Sequence, residues 1–197
     1  MAESQRIALV SGANRGIGFE IVRQLASKGL TVILTARDSK RASSTAEQLT
    51  NAGLPVLARQ LDVTDQASVD TLARDIGSEF GGLDVLVNNA AILLEDKEYA
   101  SSVNFDIVKK TLETNLFGAW RLCQAFIPLM RRNGFGRIVN LSSLEDSFHK
   151  IVEETYPGYA LSEEEVRATW KRAKFHHGFC VSQSTILCWA VDYPGID

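Results

Sequence analysis

The hydrophobic pattern changes period repeatedly along the first 143 positions. Ile7-Ala8-Leu9-Val10 is a short unbroken apolar run, and Phe19, Ile21, Val22, Leu25 and Ala26 then recur at helical intervals. The first pattern predicts a buried strand and the second a helix over 17–28, stopped at Lys28-Gly29. Val32 to Ala36 predicts a second strand. Residues 39–52 predict a helix with Ala42, Ala46 and Leu49 on one face, and Val56 to Val63 a third strand with its end. Thr64-Asp65-Gln66 opens a helix running to Phe80, with Val69, Leu72, Ala73 and Ile76 as its apolar stripe. A fourth strand covers 84–91. A loop over 93–103 then leads to a long helix over 105–132, with Val108, Leu112, Leu116, Ala119 and Leu122 on its buried face and Pro128 bending its end. A turn at 134–137 precedes a fifth strand over 138–143.

Alternating strands and helices predict an α/β fold. We expect a doubly wound, Rossmann-like parallel sheet of order 3-2-1-4-5 with right-handed crossovers. The apolar stretch 185–191 is a possible sixth strand. With 197 residues, 45% hydrophobic and 23% charged, the chain has enough material for a single domain with a sizeable core, read as 1–197. A net charge of −3 gives no basic field for nucleic acid or an anionic membrane. No apolar run approaches the ~20 residues of a membrane span, and Met1 to Gln5 lacks the regions of a signal peptide. Cys123, Cys180 and Cys188 are odd in number and match no zinc spacing, which predicts reduced thiols in a cytoplasmic protein.

Chemistry concentrates after the first strand. Ser11 is followed by Gly12, Gly16 and Gly18 in the spacing G-x-x-x-G-x-G, immediately before the helix. Glycine lets the backbone turn tightly and approach a ligand, and the helix start offers unpaired N–H groups to a pyrophosphate. A bare strand-to-helix turn is the alternative, weakened because both flanking elements are present. In a βαβ unit, the residue after the second strand meets the adenosine ribose, and an acid there would mark NAD. This chain has Ala36 and then Arg37, with Arg15 in the glycine turn. Two guanidiniums suit a 2′-phosphate, so NADP(H) is the expected cofactor.

The spacing resembles the T-G-x-x-x-G-I-G motif of the short-chain dehydrogenase/reductase family, with Ser11 in place of threonine. From residue 6 to 143 the motifs occur in order. TARD at 35–38, LDVTD at 61–65 and GGLDVLVNNA at 81–90 resemble the carbonyl-reductase branch, which reduces ketones and aldehydes with NADPH. The resemblance implies cofactor binding by Gly12, Asn14, Arg15, Gly16, Ile17, Gly18, Arg37, Asp62, Val63, Asn89 and Ala90. Asp62 would accept from the adenine amino group, or else serve as a turn carboxylate. Ala91 stands where the family has glycine, and its methyl would crowd a backbone needing positive φ. Ser143 would polarise the substrate carbonyl. Asn115 would kink its helix and hold a proton-relay water, or else be an asparagine satisfied within the core.

After 145 the resemblance weakens, and the C-terminal part is divergent or truncated. No Y-x-x-x-K pair occurs in the sequence. Tyr156 has Ala160 four residues on, Tyr193 has Asp197, and Tyr159 has Glu163. Tyr159, the best candidate proton donor, opens Y-A-L-S-E, which resembles Y-x-x-S-K. A second reading takes Ser162 to Glu165 as a capping box opening a helical insertion, so that Tyr159 only precedes it. The implied partners are a small carbonyl substrate, no nucleic acid and no membrane, with the chain a monomer or homo-oligomer. The alternatives are a non-catalytic NADP(H)-binding protein and a partner subunit of a full-length relative.

Overall fold

The computed structural model of the chain describes residues 5–94 and 104–141. Five strands form one sheet: β1 Ile7–Val10, β2 Thr31–Ala36, β3 Val56–Gln60, β4 Val85–Asn88 and β5 Arg137–Asn140. All neighbours pair in parallel in the order β3-β2-β1-β4-β5, as the alternation predicts. Helices α1 Gly16–Ser27, α2 Ser39–Asn51 and α3 Gln66–Glu79 connect the first four strands. Between β4 and β5 lie α4 Phe105–Leu112, a π turn Glu113–Gly118, and α5 Ala119–Arg132. The possible sixth strand lies outside the described residues.

Because side chains alternate along a strand, one register row serves each face of the sheet. Leu9 pairs with both Ile33 and Leu86, and Leu86 pairs with Ile138. These four pack with Val69, Leu72 and Ile76 of α3 and Leu122, Phe126 and Leu129 of α5. Ala8, Val10, Val32 and Leu34 face the other way, onto Val22 and Ala26 of α1 and Ala42, Ala46 and Leu49 of α2. Both faces are covered, which explains why β1 and β2 read as continuous apolar runs. Capping is local. Asp38 accepts from Arg41 N–H, and Asp65 accepts from Ala67 N–H.

The expected long helix is not regular. Its helical hydrogen bonding widens to π over 113–118 before returning to α. Of the expected buried face, Val108, Leu112, Leu116 and Ala119 are only half-buried, and Leu122 is fully buried. The fully covered stripe lies later, at Leu122, Phe126, Leu129 and Met130. The reason is position: α5 lies over the sheet and α3, whereas no residue of α4 is buried. No helix among the described residues is long and apolar enough to cross a membrane.

Candidate functional site

The loops that leave β1, β2, β3 and β4 all emerge at the carboxyl edge of the sheet, where open α/β sheets form their ligand crevices. The glycine turn after β1 uses its three glycines differently. Gly12 and Gly16 take left-handed backbone, with φ of +63° and +59°. A Cβ on Gly12 would lie 2.8 Å from Ala90 Cα, whereas one on Gly16 would meet nothing within 4 Å. Gly18 is needed for packing, since a Cβ there would sit 2.4 Å from Asn89 Nδ2 and 2.8 Å from Ala13 Cα. The turn is tight against β4 and open at Gly16, at the head of α1.

Hydrogen bonds hold this turn to the end of β4. Ser11 Oγ accepts from Asn89 N–H and Ala90 N–H, both at 3.0 Å, and donates to the Val87 carbonyl. Asn89 Nδ2 donates to the carbonyls of Ser11 and Gly12 at 2.9 and 3.0 Å. On the other side Ala13 N–H donates to the Thr35 carbonyl at 2.8 Å, and Thr45 Oγ1 of α2 donates to the Asn14 carbonyl at 3.3 Å. Asn89 and Ala90 therefore border the turn.

Arg15 and Arg37 are both exposed. Other arginines pair with carboxylates: Arg23 with Glu20, Arg41 with Asp38, Arg59 with Glu79, and Arg121 with Glu113. Arg15 and Arg37 have no ion pair among the described residues. Ile17, also in the turn, is exposed.

After β3, Asp62 Oδ1 accepts from Thr64 N–H at 2.9 Å and from Thr64 Oγ1 at 2.7 Å. That is the turn-carboxylate reading of Asp62, and it leaves Oδ2 available. Val63 is buried, and a Cβ on Gly118 would lie 2.7 Å from its Cγ2. Little of the Val63 side chain remains to face a ring.

Asn115 lies in the π turn. Its Oδ1 accepts from Ile92 N–H and its Nδ2 donates to the Ile92 carbonyl, each at 2.9 Å. This cyclic pair ties the π turn to the segment leaving β4. Ala91, in that segment, is exposed, so its methyl lies at the surface rather than against the core. Asn88, opposite Asn140 in the register, donates through Nδ2 to Asn140 Oδ1 at 2.6 Å and lies 3.6 Å from Cys123 Sγ. Its buried Oδ1 has no hydrogen-bond partner among the described residues. Burial pushes the Cys123 thiol up, against the smaller opposing effect of the Asn88 contact, so it stays protonated at neutral pH. Among the described residues no group of three or more metal-ligating side chains gathers. Ser143 and Tyr159 lie outside the described residues. Thr45, which bonds the glycine turn from α2, is an unremarkable threonine in a polar helix with no sequence signal of that contact.

A family model described as short chain dehydrogenase matches residues 6–158. A (+)-neomenthol dehydrogenase of Arabidopsis thaliana is 38% identical over 176 residues, covering 79% of this chain and 60% of its own. Human carbonyl reductase 3, whose name specifies NADPH, is 42% identical over 147 residues, covering 74% of this chain and 51% of its own. The chain thus spans 60% and 51% of the length of these two relatives. Among solved structures, a menthone neomenthol reductase from Mentha piperita superposes with a TM-score of 0.65 at 33% identity, covering 87% of this chain and 73% of that one. A metagenomic short-chain oxidoreductase in complex with NADP gives 0.67 at 31% identity, covering 72% of this chain and 64% of that one.

Proposed function

The chain belongs to the short-chain dehydrogenase family, and on that premise we propose that it binds NADP(H) and reduces a small carbonyl compound, a ketone, aldehyde or quinone. The observation that carries this reading is the pair of exposed guanidiniums, Arg15 in the glycine turn and Arg37 after β2, that have no carboxylate partner among the described residues. The residues present fit the cofactor. Gly12 and Gly16 shape the turn, Gly16 leaves its space open, and Asn14 to Gly18 bring backbone N–H groups to the head of α1 for a pyrophosphate. Arg15 and Arg37 would grip a 2′-phosphate bidentately. Asp62 through Oδ2 and the Val63 backbone would meet the adenine, while Asn89 and Ala90 border the turn. The relatives named for carbonyl reduction and the NADP-bound structure support the same assignment.

Bound NADPH supplies the hydride. Ser143 would donate to the substrate oxygen and polarise the carbonyl. The side-chain amide of Asn115 spends one lone pair and one N–H on Ile92, and Asn115 would hold the relay water with the hydrogen-bonding capacity that remains. Tyr159 is the candidate acid. A second reading, a protein that holds NADP(H) without turnover, is favoured by Glu163, a carboxylate where the family has lysine. A negative neighbour raises a phenol's pKa instead of lowering it.

Titration with both cofactors tests the binding. Arg37→Ala should weaken NADPH binding by about 1.5–3 kcal/mol, as for hydrogen bonds to charged groups, and leave NADH binding unchanged. Equal losses for both would remove the 2′-phosphate role. NADPH oxidation with a panel of ketones, aldehydes and quinones separates the two readings. A rate at least ~100-fold below that of relatives that carry the Y-x-x-x-K pair would favour the second reading.

A further inference from the structure

Arg15 and Arg37 sit on different loops, and a shared phosphate demands that the two loops keep a fixed spacing. Two hydrogen bonds link the β1–α1 loop to β2 and α2. One is backbone to backbone, Ala13 N–H to the Thr35 carbonyl at 2.8 Å, and it precedes Arg15 by two residues. The other is Thr45 Oγ1 to the Asn14 carbonyl at 3.3 Å. That carbonyl belongs to the peptide joining Asn14 to Arg15. Thr45 is 9% exposed in an otherwise polar helix whose other buried residues are Ala42, Ala46 and Leu49. A hydroxyl buried there needs a partner, and the partner it finds is the glycine turn.

We propose that Thr45 is a positioning residue for 2′-phosphate recognition, acting through Asn14 on Arg15; this rests on the NADP(H) reading above. Arg15 caps α1 with extended backbone, φ −166° and ψ 170°, and its side chain makes no capping hydrogen bond and no ion pair among the described residues. Its direction therefore follows the orientation of the 14–15 peptide. Thr45 holds that peptide from α2, the helix that begins just after Arg37 and Asp38. The same bond thus sets the guanidinium of one loop against that of the other. Without it the Asn14 carbonyl can turn to solvent, and a long side chain magnifies a small rotation of the peptide that carries it. Bidentate contacts are sensitive to such a shift. The pyrophosphate contacts are held separately, by the Gly12–Ala90 packing and by Ser11 and Asn89.

The test compares dissociation constants for NADPH and NADH in the wild type, Thr45→Val, Thr45→Ser, Arg15→Ala and the Arg15→Ala/Thr45→Val double variant. Melting temperatures are recorded alongside to show that each is folded. Thr45→Val should weaken NADPH binding three- to tenfold and leave NADH within twofold, while Thr45→Ser keeps the wild-type preference. In the Arg15→Ala background, Thr45→Val should add nothing. Equal losses for both cofactors, or a further loss of preference in the double variant, would overturn the role of Thr45 and leave the NADP(H) reading standing. A wild-type chain with no preference for NADPH would overturn both.

Discussion

The glycine turn at 11–18 and the π turn at 113–118 both break regular structure beside the candidate site, and they are built by opposite means. In the glycine turn the backbone itself is special, left-handed at Gly12 and Gly16 and free of a Cβ at Gly18, where Asn89 crosses. In the π turn the flanking dihedrals are ordinary. Leu112 sits at φ −63°, ψ −40° and Ala119 at φ −61°, ψ −38°. What distinguishes it is docking: Gly118 lies against Val63, Asn115 bonds Ile92 at both ends of its amide, and the Glu113–Arg121 ion pair spans the segment. Arg121 also donates to the Val63 carbonyl at 3.4 Å. The first irregularity is imposed by local stereochemistry. The second persists because distant parts of the chain hold it, as expected of a rare helix type found mainly at functional sites.

The largest effect should come from filling the glycine turn. Gly18→Ala forces a methyl into Asn89 Nδ2 and the Ala13 backbone, and displaces the amide that bonds the Ser11 and Gly12 carbonyls. Overpacking of this kind costs about 1–3 kcal/mol, and the lost hydrogen bonds place the variant toward the upper end. Denaturant unfolding would read the loss, and cofactor binding should fall with it. An unchanged midpoint would mean that the turn is not the rigid partner in this comparison.

In the π turn, Asn115→Ala should cost less. It leaves the Ile92 N–H and carbonyl without partners, but alanine favours the helix by a few tenths of a kcal/mol, so the net loss should be about 1 kcal/mol. Amide exchange at Ile92 should accelerate. If it does not, the docking of the π turn is carried by Gly118 and Val63 rather than by the asparagine.

The smallest effect lies on the exposed side of α1. The Arg23 hydrogen bonds hold the Glu20 carboxyl well below the usual range, down to about 2, with Gln24 contributing less. A depressed carboxylate stabilises the fold above its unfolded value near 4.5, and loses that contribution as pH falls toward 2. The pair is solvent-exposed, and such pairs contribute little. Glu20→Gln should lower the melting temperature only slightly at pH 7, where the contribution is fully present, and should remove this group's share of the fall in stability between those values. A clear loss at pH 7 would show that α1 depends on this pair.

Sequence by itself determined the strand and helix alternation, the sheet order, the glycine turn and the two arginines. The sheet order follows from the doubly wound reading of that alternation; the others follow from short-range causes, since the period of apolar residues selects the element, and glycine or arginine at a given step selects the backbone or the charge. Asn89 and Ala90 were named through the family resemblance of GGLDVLVNNA, and the structure sets them beside the glycine turn. Only the tertiary structure decided that the irregularity expected at Asn115 is a π turn, since Gly118 meets Val63 and Asn115 meets Ile92 across tens of residues. It also committed one oxygen of Asp62 to Thr64, closed the Asn115 amide onto Ile92, and turned Thr45 toward Asn14. Each of these choices depends on which donor or acceptor the packing brings within about 3 Å, a distance that local pattern does not encode.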